Sequence, residues 1–163
     1  MKELLLVRHA KSGWDDASLR DIDRPLNARG LKDAPEMGRR LLQRDLQPAL
    51  IVTSPARRAL STAQLLAEVL GYAAADIEIK DELYAASEEI WLRTIRELPA
   101  RCNSALIVGH NPEITAVANR LLRSHIANVP TCGLLHVQYA ARRWDKLDQQ
   151  APASWDFDYP KRR

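Results

Sequence analysis

The run Leu4-Leu5-Leu6-Val7 stops abruptly at Arg8-His9, and no other feature of the chain limits its fold as much. A continuous apolar segment of strand length has no polar face to offer water. The strand it forms is therefore covered on both sides, as in parallel sheets. A second run, Ala105-Leu106-Ile107-Val108, ends in Gly109-His110-Asn111-Pro112. Open α/β sheets carry their chemistry in the loops beyond the carboxyl ends of the strands. Two buried strands that each deliver a histidine to the same edge predict one site containing His9 and His110.

The remaining segments alternate strand with helix. Residues 13–24 are polar and read as a long loop at the mouth of that site. Asn27 is placed to cap a helix whose apolar face comprises Leu31, Met37, Leu41 and Leu42, with Pro35 expected to delay or kink it. Leu50-Ile51-Val52 is a second strand. Ser54 as cap and Pro55 at the first helical position start a helix that runs to Leu70 and stops at Gly71. Ile77 and Ile79 mark a weak strand, Ser87 opens a helix burying Trp91, Ile95 and Leu98, and Asn111-Pro112 opens another. Residues 133–139 read as a strand, with 142–147 as an edge strand beside it. This order predicts a single α/β domain over residues 1–163, with an irregular tail over about 150–163. Its architecture is a three-layer α/β/α sandwich around a mostly parallel central sheet.

Composition removes several functional classes. The 24 Lys and Arg exceed the 21 Asp and Glu by three, and Lys161, Arg162 and Arg163 account for the whole excess. The body is balanced, no basic stripe or nucleic-acid motif is present, and no nucleic-acid partner is expected. The apolar runs are too short to span a membrane. Lys2-Glu3 leads directly into the first strand, which leaves no room for a signal peptide and makes the cytoplasm the default location. Cys102 and Cys132 have no metal or redox spacing and read as buried thiols.

Four sets of residues bear on chemistry. His110 stands at a strand-to-helix junction, where helix amides favour an anion and disfavour a second proton on the ring; a turn-filling histidine would occupy the same position. Arg8 can bind phosphate or carboxylate oxygens bidentately, and His9 beside it can act as a nucleophile when neutral. Arg57 and Arg58 fall in the first turn of a helix, the unfavourable end for a cation, which points to a bound anion or else to a surface arginine pair. No acidic triad or His/Asp/Glu spacing suggests a metal, so neither metal nor cofactor is expected.

Arg8-His9-Ala10-Lys11-Ser12, Asp23-Arg24-Pro25-Leu26-Asn27-Ala28-Arg29-Gly30, Ser54-Pro55-x-x-Arg58-Ala59-x-x-Thr62-Ala63 and Val108-Gly109-His110-Asn111-Pro112 together resemble the histidine phosphatase superfamily, and most closely its small SixA-type phosphohistidine phosphatases. The resemblance implies a phosphoglycerate-mutase-like fold. It implies His9 as the nucleophile, Arg8 and Arg58 as phosphate clamps, and His110 as a second pocket histidine bonding the transferring oxygens. Ser12 and Asn111 flank the pocket as further phosphate contacts. Ala10 and Lys11 depart from the glycine and glutamate many members carry there. For the general acid, Asp81 and Glu82 lie in the corresponding region; Glu82 is the candidate, with a solvated charge as the competing reading. The activity implied is metal-independent hydrolysis of protein phosphohistidine through a phosphohistidine intermediate, releasing phosphate. A small phosphomonoester is the alternative substrate, and a non-catalytic phosphate-binding module is the alternative of another class.

Overall fold

A computed structural model describes residues 1–162; Arg163, part of the basic tip noted above, lies outside the described residues. Six strands form one sheet in the order β3-β2-β4-β1-β5-β6. These are β1 (Lys2–Arg8), β2 (Leu50–Thr53), β3 (Glu78–Ile79), β4 (Ser104–Gly109), β5 (Leu134–Tyr139) and β6 (Ser154–Asp158). The β3-β2, β2-β4 and β4-β1 pairings are parallel, while β5 and β6 add antiparallel. Helices α1 (Ala28–Gln43), α2 (Arg57–Leu70), α3 (Glu88–Arg96) and α4 (Glu113–Leu122) cover the two faces.

The alternation of a strand divides its side chains between those faces. Leu4 and Leu6 of β1 join the core under α3 and α4, with Trp91, Ile95, Val117 and Leu121. Leu5 and Val7 join the core under α1 and α2, with Met37, Leu41, Ala63 and Leu66. The uninterrupted apolar run of β1 is thus two half-runs, each buried in a different layer. Among the described residues, no helix is long and apolar enough to cross a membrane.

Several local expectations need correction. α1 runs unbroken through Pro35, and Asn27 caps it by accepting a hydrogen bond from the Gly30 amide at 2.9 Å. Leu31 and Leu42 are 54% and 41% exposed; the buried face consists of Gly30, Ala34, Met37, Gly38 and Leu41. Small residues serve there because the partners approach closely: a Cβ on Gly30 would lie 2.2 Å from the Lys11 carbonyl oxygen. α2 begins at Arg57 with Ala56 at the cap, so Ser54 and Pro55 precede the helix. Pro112, not Asn111, precedes α4 as its cap residue.

Residues 142–147 form no strand. Trp144 is buried instead, its indole N–H directed at the carbonyls of Pro99 (3.2 Å) and Cys102 (3.0 Å). The edge position belongs to β6, inside the tail expected to be irregular. Phe157 packs toward the α3/α4 core, while Asp158 reaches Arg40 of α1 and Asp156 reaches Arg44 just past its end. Alternation of charged with aromatic residues is a strand pattern, and its polar side here meets arginines at a partly exposed edge.

Candidate active site

The register of the sheet builds the site. β1 and β4 pair in parallel with Arg8 opposite Gly109, and the His9 amide donates to the Gly109 carbonyl at 3.0 Å. The residue after each strand is a histidine, and the two rings lie 5.2 Å apart, centroid to centroid, tilted by 54°. Gly109 is required for this: a Cβ there would sit 2.2 Å from Cζ2 of buried Trp91.

His9 is buried, and its Nδ1 lies 2.7 Å from the Ala10 carbonyl oxygen. A carbonyl can only accept, so Nδ1 carries the proton and Nε2 the lone pair. Burial, together with the positive Arg58 and Arg8 and the His110 ring, pushes the His9 pKa down to about 3. Thr62 secures the loop from below, accepting from the Ala10 amide at 3.0 Å while donating to the Arg58 carbonyl at 2.7 Å. His110 is held at 2.7 Å by the Ser54 hydroxyl, which also accepts the Ala56 amide at 3.3 Å. Burial first, then Arg58, lowers the His110 pKa to about 4. Both imidazoles are neutral at pH 7.

Arg8 extends from the end of β1 and donates through Nη1 to the Val129 carbonyl at 3.0 Å. Arg58 is buried in the first turn of α2, whereas Arg57 is exposed. Six buried side-chain polar atoms among the described residues have no partner, and three of them are Arg8 Nε, Arg58 Nε and His110 Nδ1. Native interiors leave few such atoms unmatched, and a cluster of orphan nitrogens on cations and imidazole describes a place for an anion. These side chains, with Lys11, Ser12, Trp14, Arg24, Asn111 and Thr131, line a hollow of about 270 Å³.

Of the expected contacts, Asn111 is engaged elsewhere and Ser12 only in part. Both amide hydrogens of Asn111 are used, toward Asn128 Oδ1 (2.8 Å) and the Val129 carbonyl (3.1 Å), so this side chain ties down the 126–129 loop instead of presenting donors to a phosphate. Ser12 accepts from Arg24 Nη1 at 2.9 Å and retains its hydroxyl hydrogen for another partner. Glu82 is exposed and does not line the hollow; it lies in a short 3-10 turn (Asp81–Leu83) whose buried residue is Leu83.

The carboxylate that does reach the site is Asp21, to which the sequence motifs assign no role. Its Oδ2 lies 3.1 Å from Arg58 Nη2 and accepts the Tyr84 hydroxyl at 2.6 Å, and its Oδ1 accepts from Arg24 Nε at 3.1 Å. The Tyr84 hydrogen bond, with those from Arg24 and Arg58, holds the Asp21 pKa down at about 2, so it is ionised. The Tyr84 ring meets His110 edge-on at 5.8 Å, and the Arg24 guanidinium stacks 3.4 Å from the centre of the exposed Trp14 ring. Ser54, Tyr84, Arg24 and Asp21 are all visible as residue types, but only the fold brings them to the two histidines.

The family model of the histidine phosphatase superfamily (branch 1) matches residues 4–91. The chain is 28% identical to an uncharacterized chloroplastic protein of Arabidopsis thaliana, over 96% of this chain and 76% of that one. Among solved structures, it superposes with a TM-score of 0.82 on a candidate phosphohistidine phosphatase SixA from Agrobacterium tumefaciens, at 28% identity over 98% of each chain. The fold is also that of a protein histidine phosphatase SixA complexed with tungstate, with a TM-score of 0.77 at 19% identity over 96% of this chain and 94% of that one.

Proposed function

This chain belongs to the histidine phosphatase superfamily, and from that premise we propose that it hydrolyses phosphohistidine on a protein, with His9 as the covalent nucleophile and without a metal. The observation that carries this reading is the His9 ring: neutral, held through Nδ1 by the Ala10 carbonyl so that Nε2 keeps its lone pair, and lining one hollow with Arg8, Arg58 and His110.

In the first step Nε2 of His9 attacks phosphorus. A new P–N bond forms as the bond from phosphorus to the substrate imidazole breaks. Arg8 and Arg58 clamp the equatorial oxygens, and their charge matches the negative charge those oxygens carry in the transition state. His110, oriented by Ser54, adds a hydrogen bond. The departing imidazole takes its proton from water. In the second step water attacks the phosphoryl group on His9, releasing orthophosphate and the neutral ring. Asp21, ionised and bonded to Arg58, gives no proton; it offsets part of that guanidinium's charge while the pocket is free of phosphate. A substrate whose leaving group is an imidazole suits a pocket with no protonated carboxyl, because imidazole leaves more readily than an alkoxide.

The test is to mix the enzyme with a phosphoprotein labelled on histidine, quench within milliseconds and map acid-labile label. Label on His9, lost together with turnover in His9→Ala, is expected. Turnover with label on another residue, or phosphate binding without any turnover, would replace this reading with a different nucleophile or with a non-catalytic phosphate-binding module.

A further inference from the structure

Beside the phosphoryl pocket, and sharing Arg8, Lys11 and Thr131 with it, runs a second groove of about 370 Å³. Its other walls include Arg29, Tyr159 and Lys161. Four cationic side chains face it, and among the described residues no carboxylate side chain lines it. This is a built feature. Gly30 lets the start of α1 meet the Lys11 backbone, with the Asn27 amide bonded to the Lys11 carbonyl at 3.0 Å, which sets Arg29 beside Lys11. On the opposite side Arg40 holds the Tyr159 and Pro160 carbonyls at 2.9 Å each and so fixes the segment that carries Lys161. Among the described residues Lys11 and Lys161 form no ion pair, and Arg29 meets Asp33 at 3.3 Å on the flank of the helix. Cations crowded around a concave surface raise the local potential and draw in negative charge.

We propose that this groove is a second anion subsite, which binds a carboxylate or phosphate carried by the same substrate next to the scissile phosphoryl group. It rests on the phosphatase reading for the role of the first pocket. On a phosphoprotein the second anion is an acidic side chain near the phosphohistidine; on a small molecule it is a second phosphate. Arg8 and Lys11, common to both hollows, make the two sites one continuous recognition surface.

The test is a binding measurement on the intact protein. Two peptides carry a non-hydrolysable phosphonate analogue of phosphohistidine, one flanked by glutamates and one by glutamines; in a second arm, a sugar bisphosphate is compared with its monophosphate. In at least one pair the probe that carries the second anionic group is expected to bind about tenfold more tightly at low salt, with the preference shrinking as salt is raised. In the double variant Arg29→Glu/Lys161→Glu the preference should fall to about one, with the glutamine peptide or monophosphate as internal control. A preference in the peptide arm identifies a protein source and one confined to the sugar arm a metabolite; both support the subsite. Equal binding within both pairs overturns it, as does a preference that survives the double variant. Phosphoprotein turnover, measured separately, bears on the phosphatase reading alone, so that either idea can fail without the other.

Discussion

Two hollows of this molecule are rich in arginine, and they differ in what the arginines meet. The larger, about 590 Å³, lies between α1 and β6. There Arg40 pairs with Glu36 (3.4 Å) and Asp158 (3.0 Å), and Asp156 faces both Arg44 (3.3 Å) and Arg162 (3.4 Å). The smaller, about 270 Å³, contains Arg8, Arg24 and Arg58 around two neutral histidines, and Asp21 touches Arg24 and Arg58 but not Arg8. The first hollow is neutralised from within and serves to fasten a strand. The second keeps its positive charge and its orphan nitrogens for something that comes from outside. Neither volume nor arginine count marks an anion site; uncompensated charge does.

The comparison can be broken most directly at its extremes. His9→Ala is expected to lower kcat by about 10³-fold or more, while Arg40→Ala leaves turnover within about twofold. Comparable losses in the two variants, measured on the same phosphoprotein, would erase the distinction. Arg58→Ala should lower kcat/KM by about 10²-fold, with Arg58→Lys recovering only part because a point charge cannot grip two oxygens at once.

The histidines predict the effect of acid. Unfolded, both imidazoles bind protons below about 6.5; folded, His110 waits until about 4 and His9 until about 3. Between these limits the unfolded chain holds more protons, so stability is complete above about pH 6.5 and declines as pH falls through the window. Thermal unfolding at pH 7 and pH 5 checks the sign: His9→Ala should flatten the difference, and saturating phosphate, whose charge favours the protonated rings, should raise both pKa values in an NMR titration.

Smaller effects sharpen the contrast. Arg40→Ala removes three anchors of the C-terminal segment and should cost about 2 kcal/mol in urea unfolding. Asp21→Asn removes the resident negative charge from Arg58 and should tighten inorganic phosphate binding about threefold, as read by competition. Weaker phosphate binding in that variant would mean that Asp21 serves mainly to aim the guanidinium.

Some of this was legible one residue after another. The apolar runs ending in Arg8-His9 and Gly109-His110 announce buried strands, because burial on both faces leaves no polar position inside a run. Gly71 in the left-handed conformation (φ 71°) ends α2 as a glycine after a helix does. Asn27 and Ser87 accept the amides that helix starts leave unpaired. Ser54 shows where such local rules stop. Its place before a proline reads as a helix cap, yet its hydroxyl is committed to His110, 56 residues away.

What the chain determined by itself was therefore β1, β2, β4 and β5, the Asn27 and Ser87 caps and the residue types delivered to one edge of the sheet, since propensity, periodicity and capping depend only on near neighbours. The tertiary structure decided which of those residues meet: the β1–β4 register that sets His9 beside His110, the 37-residue reach from Asp21 to Arg58 and the 63-residue reach from Tyr84 to Asp21. It also decided which charges remain unanswered. An arginine on α1 and an arginine on α2 look alike in the chain; whether a carboxylate lies opposite depends on how loops close over the sheet, and closure is a property of the whole fold.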